Sequence, residues 1–266
     1  MTTASLPFAS CGPEVLFRVR PCEYDGETLS ASMPIGPWLN DGRRATAGAL
    51  SVLVDDVLGY TLVATSPPGR WSVSAEITLD LLAPLPASGT VRASASAMYL
   101  DRIGGFSTGK VLDEDGQLLA VCTQRGRYVP APGIEFGDVS FTEQHGCDNI
   151  IPWLSERFVG PQPTETPDLL GNPLGNVHGG ISLCLAALNA EDVAPEHLEI
   201  ASLHIVYARP IPIGARLAHQ IRTVHQGRGL MTLAITGELA GRPATLTRVV
   251  LQPRDRSVSQ VSGIKI

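Results

Sequence analysis

Two glycines that follow a histidine are the residues of this chain whose types and spacing best suit chemistry. His178, Gly179 and Gly180 stand six positions after Asn172 and open an apolar, helix-like segment. A helix start presents unpaired backbone N–H groups and the positive end of the helix dipole, and glycine allows close approach to them. Such a segment can stabilise negative charge that develops on a carbonyl oxygen, and we expect the N–H of Gly179 to be the donor.

An altered copy of this segment lies 132 positions earlier, at 46–48. Asn40 precedes Thr46-Ala47-Gly48 with the same spacing of six, and an apolar segment again follows. A shared spacing suggests two copies of one unit. The first copy lacks the histidine but has Asp55 nine positions after Thr46, whereas the second copy has Ala187 nine positions after His178. Each half therefore holds part of one set of reactive groups.

The elements around the two motifs also repeat. Apolar periodicity and length predict one helix over 47–63 and another over 180–190. Strand-like segments follow each helix, at 72–82, 90–100, 106–112 and 118–128, and then at 200–212, 216–224, 230–237 and 244–252. Two earlier strands are predicted over 16–20 and 28–34. One helix followed by four antiparallel strands, twice, predicts an α+β protein whose sheet wraps around each central helix.

The repeat predicts two domains and a connection between them. The N-terminal unit is expected over 14–130 and the C-terminal unit over 165–253. The segment between them, 131–164, has many proline and glycine residues and weak periodicity, which indicates a linker with local structure around 150–158.

Composition excludes several classes of function. The formal net charge is −6 and no long run of Lys or Arg occurs, so no nucleic-acid partner is expected. Asp55 and Asp56 interrupt the longest apolar run, so no membrane partner is expected either. Five scattered cysteines without a Cys-x-x-Cys pair predict reduced thiols in a cytoplasmic protein, with no metal or cofactor. No Gly-x-Ser-x-Gly or Gly-x-Gly-x-x-Gly motif is present.

The motifs and their order resemble the PaaI-like branch of the hotdog-fold acyl-CoA thioesterases. The family pattern is Asn, a short loop, His-Gly-Gly, and a carboxylate nine residues after the histidine within the central helix. Positions 172–180 match its first part, and Asn40, Gly48 and Asp55 match the remainder in the other half. The Arg-Pro-Ile-Pro sequence at 209–212 is also similar, and the resemblance covers 36–130 and 165–252.

The resemblance implies a thioesterase that hydrolyses an acyl-CoA to a free acid and CoA. In the family two subunits pair, and each site joins the helix start of one subunit to the carboxylate of the other. Here the partners are fused into a tandem (double) hotdog, so one composite site between the halves is expected. The reciprocal pairing, of 46–48 with Ala187, has no carboxylate and is expected to be inactive. The fused chain can pair again through its sheets as a homodimer.

The resemblance also implies roles for the catalytic residues. Asp55 is expected to be the base that activates water, or the nucleophile that forms a transient anhydride. Asp56 is its rival, because a shift of one residue in the alignment would exchange them. His178 and Asn172 are expected to orient water, hold the carbonyl or order the loop, although an Asn at this place equally suits a cap or turn.

The remaining candidates concern binding. Gly180 is expected beside the substrate, although a glycine pair also suits close helix packing. Arg209 and Arg228 are candidates for contact with the phosphates of coenzyme A. Two other functions stay open: an (R)-specific enoyl-CoA hydratase, whose Gly-Asp-x-Asn-Pro-x-His motif the segment 171–178 partly resembles, and a hotdog protein that only binds acyl-CoA or is structural.

Overall fold

The computed structural model describes residues 12–40, 47–131 and 148–253. Its first half contains, in order, helix α1 (Gly12–Phe17), strands β1 (Glu23–Tyr24) and β2 (Thr28–Ile35), helix α2 (Ser51–Ala64) and strands β3 (Arg70–Leu81), β4 (Gly89–Leu100), β5 (Gly104–Leu112) and β6 (Leu118–Pro130). Its second half contains helix α3 (Ile150–Phe158), strand β7 (Thr164–Glu165), helix α4 (Gly179–Val193) and strands β8 (Glu199–Tyr207), β9 (Arg216–Gln226), β10 (Met231–Leu239) and β11 (Arg242–Gln252).

The eleven strands of these residues form one antiparallel sheet, in the order β1-β2-β4-β5-β6-β3-β8-β11-β10-β9-β7. The two halves meet where β3 pairs with β8, along Glu76–Asp80 and Ser202–Val206. On either side of this join the strands that follow each long helix occur in mirrored order. The prediction of two antiparallel hotdog units in tandem, each around a central helix, is therefore confirmed.

Helices α2 and α4 are apolar on nearly all sides because each lies between the sheet and the other helix. The segment Ala47–Ala64 is long and apolar enough to cross a membrane, yet 83% of it is buried inside the protein. A Cβ added to Gly180 would lie 2.6 Å from Cα of Val52, so the helix backbones nearly touch there. The close approach of the helices therefore requires glycine at 180.

The structure corrects two predicted strands. The segment 16–20 is not a strand: it spans the end of α1 and a turn at Arg18, whose φ is 61°. Phe17 and Val19 are both fully buried, and this alternation of apolar residues suggested a strand. The strand predicted over 200–212 ends at Tyr207. Within the segment predicted as a linker, 150–158 forms α3, whereas 132–147, like Thr46, lies outside the described residues.

Candidate active site

A cavity of about 720 Å³ lies where the two halves of the sheet separate. β3 and β8 pair only as far as Glu76 and Val206, and beyond that point 70–75 and 207–211 line the cavity instead of pairing with each other. Residues of α1, α2, the end of β6, the start of α4 and most of the loop 172–178 complete its wall. The cavity is therefore built by both halves of the chain.

Asp55 reaches this cavity from α2 and lies against the start of α4. Its Oδ2 atom accepts a hydrogen bond from the N–H of Gly180 at 2.7 Å, across the two halves of the chain. Its Oδ1 atom accepts one from the hydroxyl of Ser74 at 2.8 Å. Asp55 is only 7% exposed, and these bonds replace the water that a buried carboxylate has lost.

The peptide between Gly179 and Gly180 is held at both ends. Its N–H donates to Asp55, and its carbonyl oxygen, on Gly179, accepts a hydrogen bond from the hydroxyl of Tyr207 at 2.8 Å. Burial and the nearby Asp55 raise the pKa of Tyr207 well above its ordinary value, so this hydroxyl stays protonated. Hydrogen bonds at both ends of one peptide polarise it in the same direction, and each bond strengthens the other.

Gly179 is required by the position of the carboxylate. A Cβ at 179 would lie 2.6 Å from Oδ2 of Asp55, so any other residue would displace that oxygen. The N–H of Gly179 has no hydrogen-bond partner within the described ranges, and the residue lines the cavity. A helix N–H that faces a cavity is suited to bind an oxyanion.

His178 lies between carboxylates on both sides of its ring. Nδ1 is 3.2 Å from Oδ2 of Asp55, and Nε2 is 3.3 Å from Oδ1 of Asp56 and 3.7 Å from Oε1 of Glu14. Burial disfavours the charged ring, but Asp55, Asp56 and Glu14 outweigh it and raise the pKa of His178 to about 10. His178 is therefore an imidazolium at neutral pH, with both nitrogens protonated.

This protonation state bears on one ambiguous contact, between the N–H of Gly180 and the ring of His178. The N–H of Gly180 is within 3.1 Å of Nδ1 of His178, but a protonated Nδ1 cannot accept, so the N–H donates to Asp55 alone. Glu14, Asp56 and His178 also place potential ligand atoms within 4.8 Å of one another, close enough for a metal ion. The distances from Nε2 of His178 to Asp56 and Glu14, 3.3 and 3.7 Å, are those of a buried ion-pair cluster, and a metal ion there would have to displace the proton on Nε2.

Asp56 and Asp55 are adjacent in sequence but differ in environment. Burial raises the pKa of Asp56 to about 6, although the imidazolium of His178 lowers it. Apart from the ion pair with His178, neither oxygen of Asp56 has a hydrogen-bond donor within the described parts of the chain. Asp55, by contrast, has backbone and hydroxyl donors that fix its orientation.

The other predicted site residues lie in different places. Asn172 lines the cavity, but its Oδ1 atom accepts from the N–H groups of Leu174 and Asn176, as in a turn. Gly180 is buried and is not among the residues of the cavity wall. Arg209 belongs to the wall, whereas Arg228 does not and lies between β9 and β10.

Several residues of the site are absent from the sequence prediction. They are Glu14, Ser74 and Tyr207, which contact the reactive groups, and Arg70 and Arg127, which line the cavity. None belongs to the repeated motif, so spacing carries no sign of them. The sole local signal is at Tyr207, because it stands two residues before the Arg-Pro-Ile-Pro sequence that the family resemblance includes.

Comparison with known families identifies both halves of the chain. Residues 34–128 match a family model described as acyl-CoA thioesterase C-terminal domain, and residues 171–252 match one described as acyl-CoA thioesterase N-terminal domain. The domain that is C-terminal in the family name thus comes first here. No curated protein sequence matches the chain.

Solved structures share the fold at low sequence identity. The TesB protein of Mycobacterium avium subspecies paratuberculosis is 10% identical with a TM-score of 0.61, over 92% of this chain and 100% of that one. The 12:0-ACP thioesterase from Umbellularia californica is 13% identical with a TM-score of 0.60, over 85% and 94%. An acyl-ACP thioesterase from Bacteroides thetaiotaomicron is 13% identical with a TM-score of 0.58, over 85% and 98%. These similarities show a common fold.

Proposed function

Both halves of the chain belong to the acyl-CoA thioesterase domain family, the chain is a thioester hydrolase, and we propose that it hydrolyses acyl-CoA at one composite site between its halves. The observation that carries the proposal is the 2.7 Å hydrogen bond from the N–H of Gly180 to Asp55 at the wall of the cavity. It joins the acid of one repeat to the helix start of the other, as in the PaaI-like branch to which we assign the site.

In this proposal the start of α4 binds the thioester carbonyl. The N–H of Gly179 donates to the carbonyl oxygen, and the positive end of the helix dipole favours the charge that develops there. Asp55 acts as general base. Its Oδ2 atom already interacts with Gly180 and His178, whereas Oδ1 has one donor, Ser74, and therefore a lone pair for the proton of water.

His178 has an electrostatic role in this mechanism. A ring protonated on both nitrogens cannot accept a proton from water, so it does not compete with Asp55 as a base. Its positive charge lies beside Asp55, Asp56 and Glu14, and it offsets the repulsion among carboxylates that share one buried place. Asn172 orders the loop that leads to His178.

We further propose two units over 14–130 and 165–253 that act as one catalytic body. A cytoplasmic location is proposed from the cysteines, because Cys22, Cys122 and Cys184 are buried free thiols. Association of two chains through their sheets remains a prediction.

The test is release of free CoA thiol from a panel of acyl-CoAs. Asp55→Asn is expected to lower kcat on the order of 10²–10⁴-fold, the effect typical of removing a general base. Asp56→Asn, its neighbour, is expected to retain most activity, because the buried carboxyl is replaced by a neutral group of the same shape. Equal activity of wild type and Asp55→Asn would remove Asp55 from the base role.

Two results would favour the other functions. If wild type binds acyl-CoA but releases thiol from no substrate, the protein is a binding module. Loss of the conjugated absorbance of an enoyl-CoA would indicate a hydratase. Single turnover in ¹⁸O-water tests the anhydride route: label in Asp55 requires an anhydride that water opens at the Asp55 carbonyl, whereas general base catalysis places label in the acid product alone.

A further inference from the structure

Gly59, in the middle of α2, differs from the glycines at the two helix starts because no close contact among the described residues requires it. A Cβ at Gly48, Gly179 or Gly180 would lie no more than 2.9 Å from another atom, so packing accounts for these three glycines. A Cβ at Gly59 would lie no closer than 3.6 Å to any described atom, which is an ordinary van der Waals distance. Glycine inside a helix is less favourable than alanine, so the fold gains nothing from glycine at this position.

The backbone of Gly59 is open to the cavity. Every other residue of α2 from Ser51 to Leu62 is buried, whereas Gly59 is half-buried and lines the cavity between the halves. Its nearest neighbour on the side of the missing Cβ, the amide of Gln124, does not belong to the cavity wall. The missing side chain therefore leaves space to the cavity, and glycine is typical of places where a ligand passes close to the backbone.

The cavity continues along α2 beyond Asp55. Gly59 follows Asp55 by one helical turn and Val63 follows by two, so the three lie on one face of the helix, and all three line the cavity. Tyr60 and Trp71 also line it, and their rings pack edge to face with centroids 5.9 Å apart. We call the space lined by Gly59, Tyr60, Val63 and Trp71 the α2 branch, and its wall is mainly aliphatic and aromatic.

The other side of the cavity is more polar. The loop before α4 contributes Asn172 and Asn176 to its wall, and the segment after β8 contributes Arg209. A saturated acyl chain has no hydrogen-bonding groups, so its burial is most favourable against the apolar wall of the α2 branch. The arm on the sulfur side of the thioester carries amides, which lose less on burial beside polar groups. The acyl chain is therefore the part of the substrate that fits beside Gly59.

We propose that Gly59 determines which acyl groups the site accepts, because it leaves the α2 branch open for an unbranched acyl chain of medium length. The inference rests on the proposed function and names its substrate class. Gly59 and Val63 lie about 6 and 12 Å beyond Asp55 along the helix axis, distances that an extended chain of about six to ten carbons spans from its carbonyl. A side chain at position 59 would stand in the path of such a chain and would leave room for a short acyl group.

The experiment measures kcat/KM for saturated acyl-CoAs from acetyl to dodecanoyl. Each methylene group that becomes buried should raise kcat/KM of the wild type about fourfold, up to a chain of about ten carbons. Gly59→Leu should lower the ratio of kcat/KM for octanoyl-CoA to that for acetyl-CoA by about 10- to 100-fold, and Gly59→Ala by about fourfold. Gly229→Leu is the matched control, because Gly229 lies between β9 and β10, outside the cavity wall, and a Cβ there would contact nothing within 4 Å.

Thermal unfolding separates specificity from stability. Gly59→Ala should raise Tm by about 2–4 °C, because alanine is the better helix former and meets no close contact. A variant that is more stable and yet discriminates against longer chains has lost space for the substrate. A lower Tm would show that packing requires glycine at position 59, and it would contradict the inference.

The remaining outcomes separate the α2 branch from the chemistry. An unchanged ratio in Gly59→Leu would overturn the proposal. An equal loss with acetyl-CoA and octanoyl-CoA would also overturn it, because position 59 would then act on the reaction or on the arm of the thioester. Calorimetric binding tests the α2 branch even if the wild type releases thiol from no acyl-CoA: the wild type should bind octanoyl-CoA more tightly than acetyl-CoA, and Gly59→Leu should lose this preference. The same preference in both proteins would refute the role of Gly59.

Discussion

The two helix starts of the repeat occupy equivalent places but bind different acids. At α4 the N–H of Gly180 donates to Asp55 at 2.7 Å, and at the turn before α2 the N–H of Ala47 donates to Oε1 of Glu191 at 3.1 Å. Asp55 corresponds to Ala187 in the repeat, and Glu191 lies one helical turn beyond Ala187. Both helix starts therefore bind a carboxylate of the other half, but from different turns of the partner helix.

Because of this difference of one turn, the start of α4 forms part of a candidate active site, whereas the start before α2 forms only a contact between the halves. Asp55 lies in the cavity wall, whereas its counterpart Ala187 is fully buried. Gly48 packs on α4, where an added Cβ would lie 2.9 Å from Sγ of Cys184. A carboxylate at the start of a helix thus stabilises the fold in either place, and the open cavity beside Asp55 is what allows it to meet a substrate.

The largest effect is expected from Gly179→Ala. The added methyl group would displace the carboxylate of Asp55, so kcat should fall on the order of 10²–10³-fold. Gly48→Ala is the matched change at the other helix start: it should retain kcat but lose about 1–3 kcal/mol of unfolding free energy through overpacking. Steady-state kinetics and urea unfolding check the pair, and equal loss of activity in both variants would refute the distinction between the two starts.

A smaller effect is expected from Tyr207→Phe, which removes the donor to the carbonyl of Gly179. One hydrogen bond contributes about 1 kcal/mol, so kcat should fall about 5- to 10-fold while KM stays constant. Tyr24→Phe is the matched control, because the hydroxyl of Tyr24 also donates to a glycine carbonyl, that of Gly26, at 2.8 Å. A rise in KM at constant kcat would instead show that Tyr207 acts in substrate binding.

The ion pairs of His178 predict that the unfolding free energy of the protein depends on pH. The raised pKa of His178 contributes stability that is complete below its ordinary value near 6.5 and is lost as pH rises through about 10. Glu14→Gln removes one of the carboxylates that raise this pKa, so the loss should begin at lower pH. Thermal unfolding between pH 6 and 10 measures the shift, and an unchanged profile in Glu14→Gln would show that Glu14 does not interact with the ring.

The smallest effect is expected from Glu191→Gln at the other helix start. The amide oxygen can still accept from the N–H of Ala47, whereas the interaction of the charge with the helix start is lost. The interaction of the charge with the helix start contributes about 0.3–1 kcal/mol to the unfolding free energy, and we expect a loss of at least that size with unchanged kcat. A loss of activity comparable to that of Asp55→Asn would mean that this second helix start is also catalytic.

The sequence by itself determined the two helices and most of the strands, and its resemblance to the hotdog thioesterases implied the pairing of Asp55 with the His-Gly-Gly segment. Helix periodicity and motif spacing are local, so they are readable without the fold. The strand expected at 16–20 was wrong because alternation of apolar residues arises both in a strand and at a turn such as that at Arg18. Local pattern alone does not distinguish the two.

Only the tertiary structure decided how the carboxylate is held and where the cavity opens. Ser74, Tyr207 and Glu14 reach the site from β3, β8 and α1, elements that the repeated motif does not include. The cavity exists because β3 and β8 stop pairing, and that register depends on the docking of two whole units. The sequence determines which groups are present near each motif, whereas contacts between distant segments arise from packing, which no local spacing records.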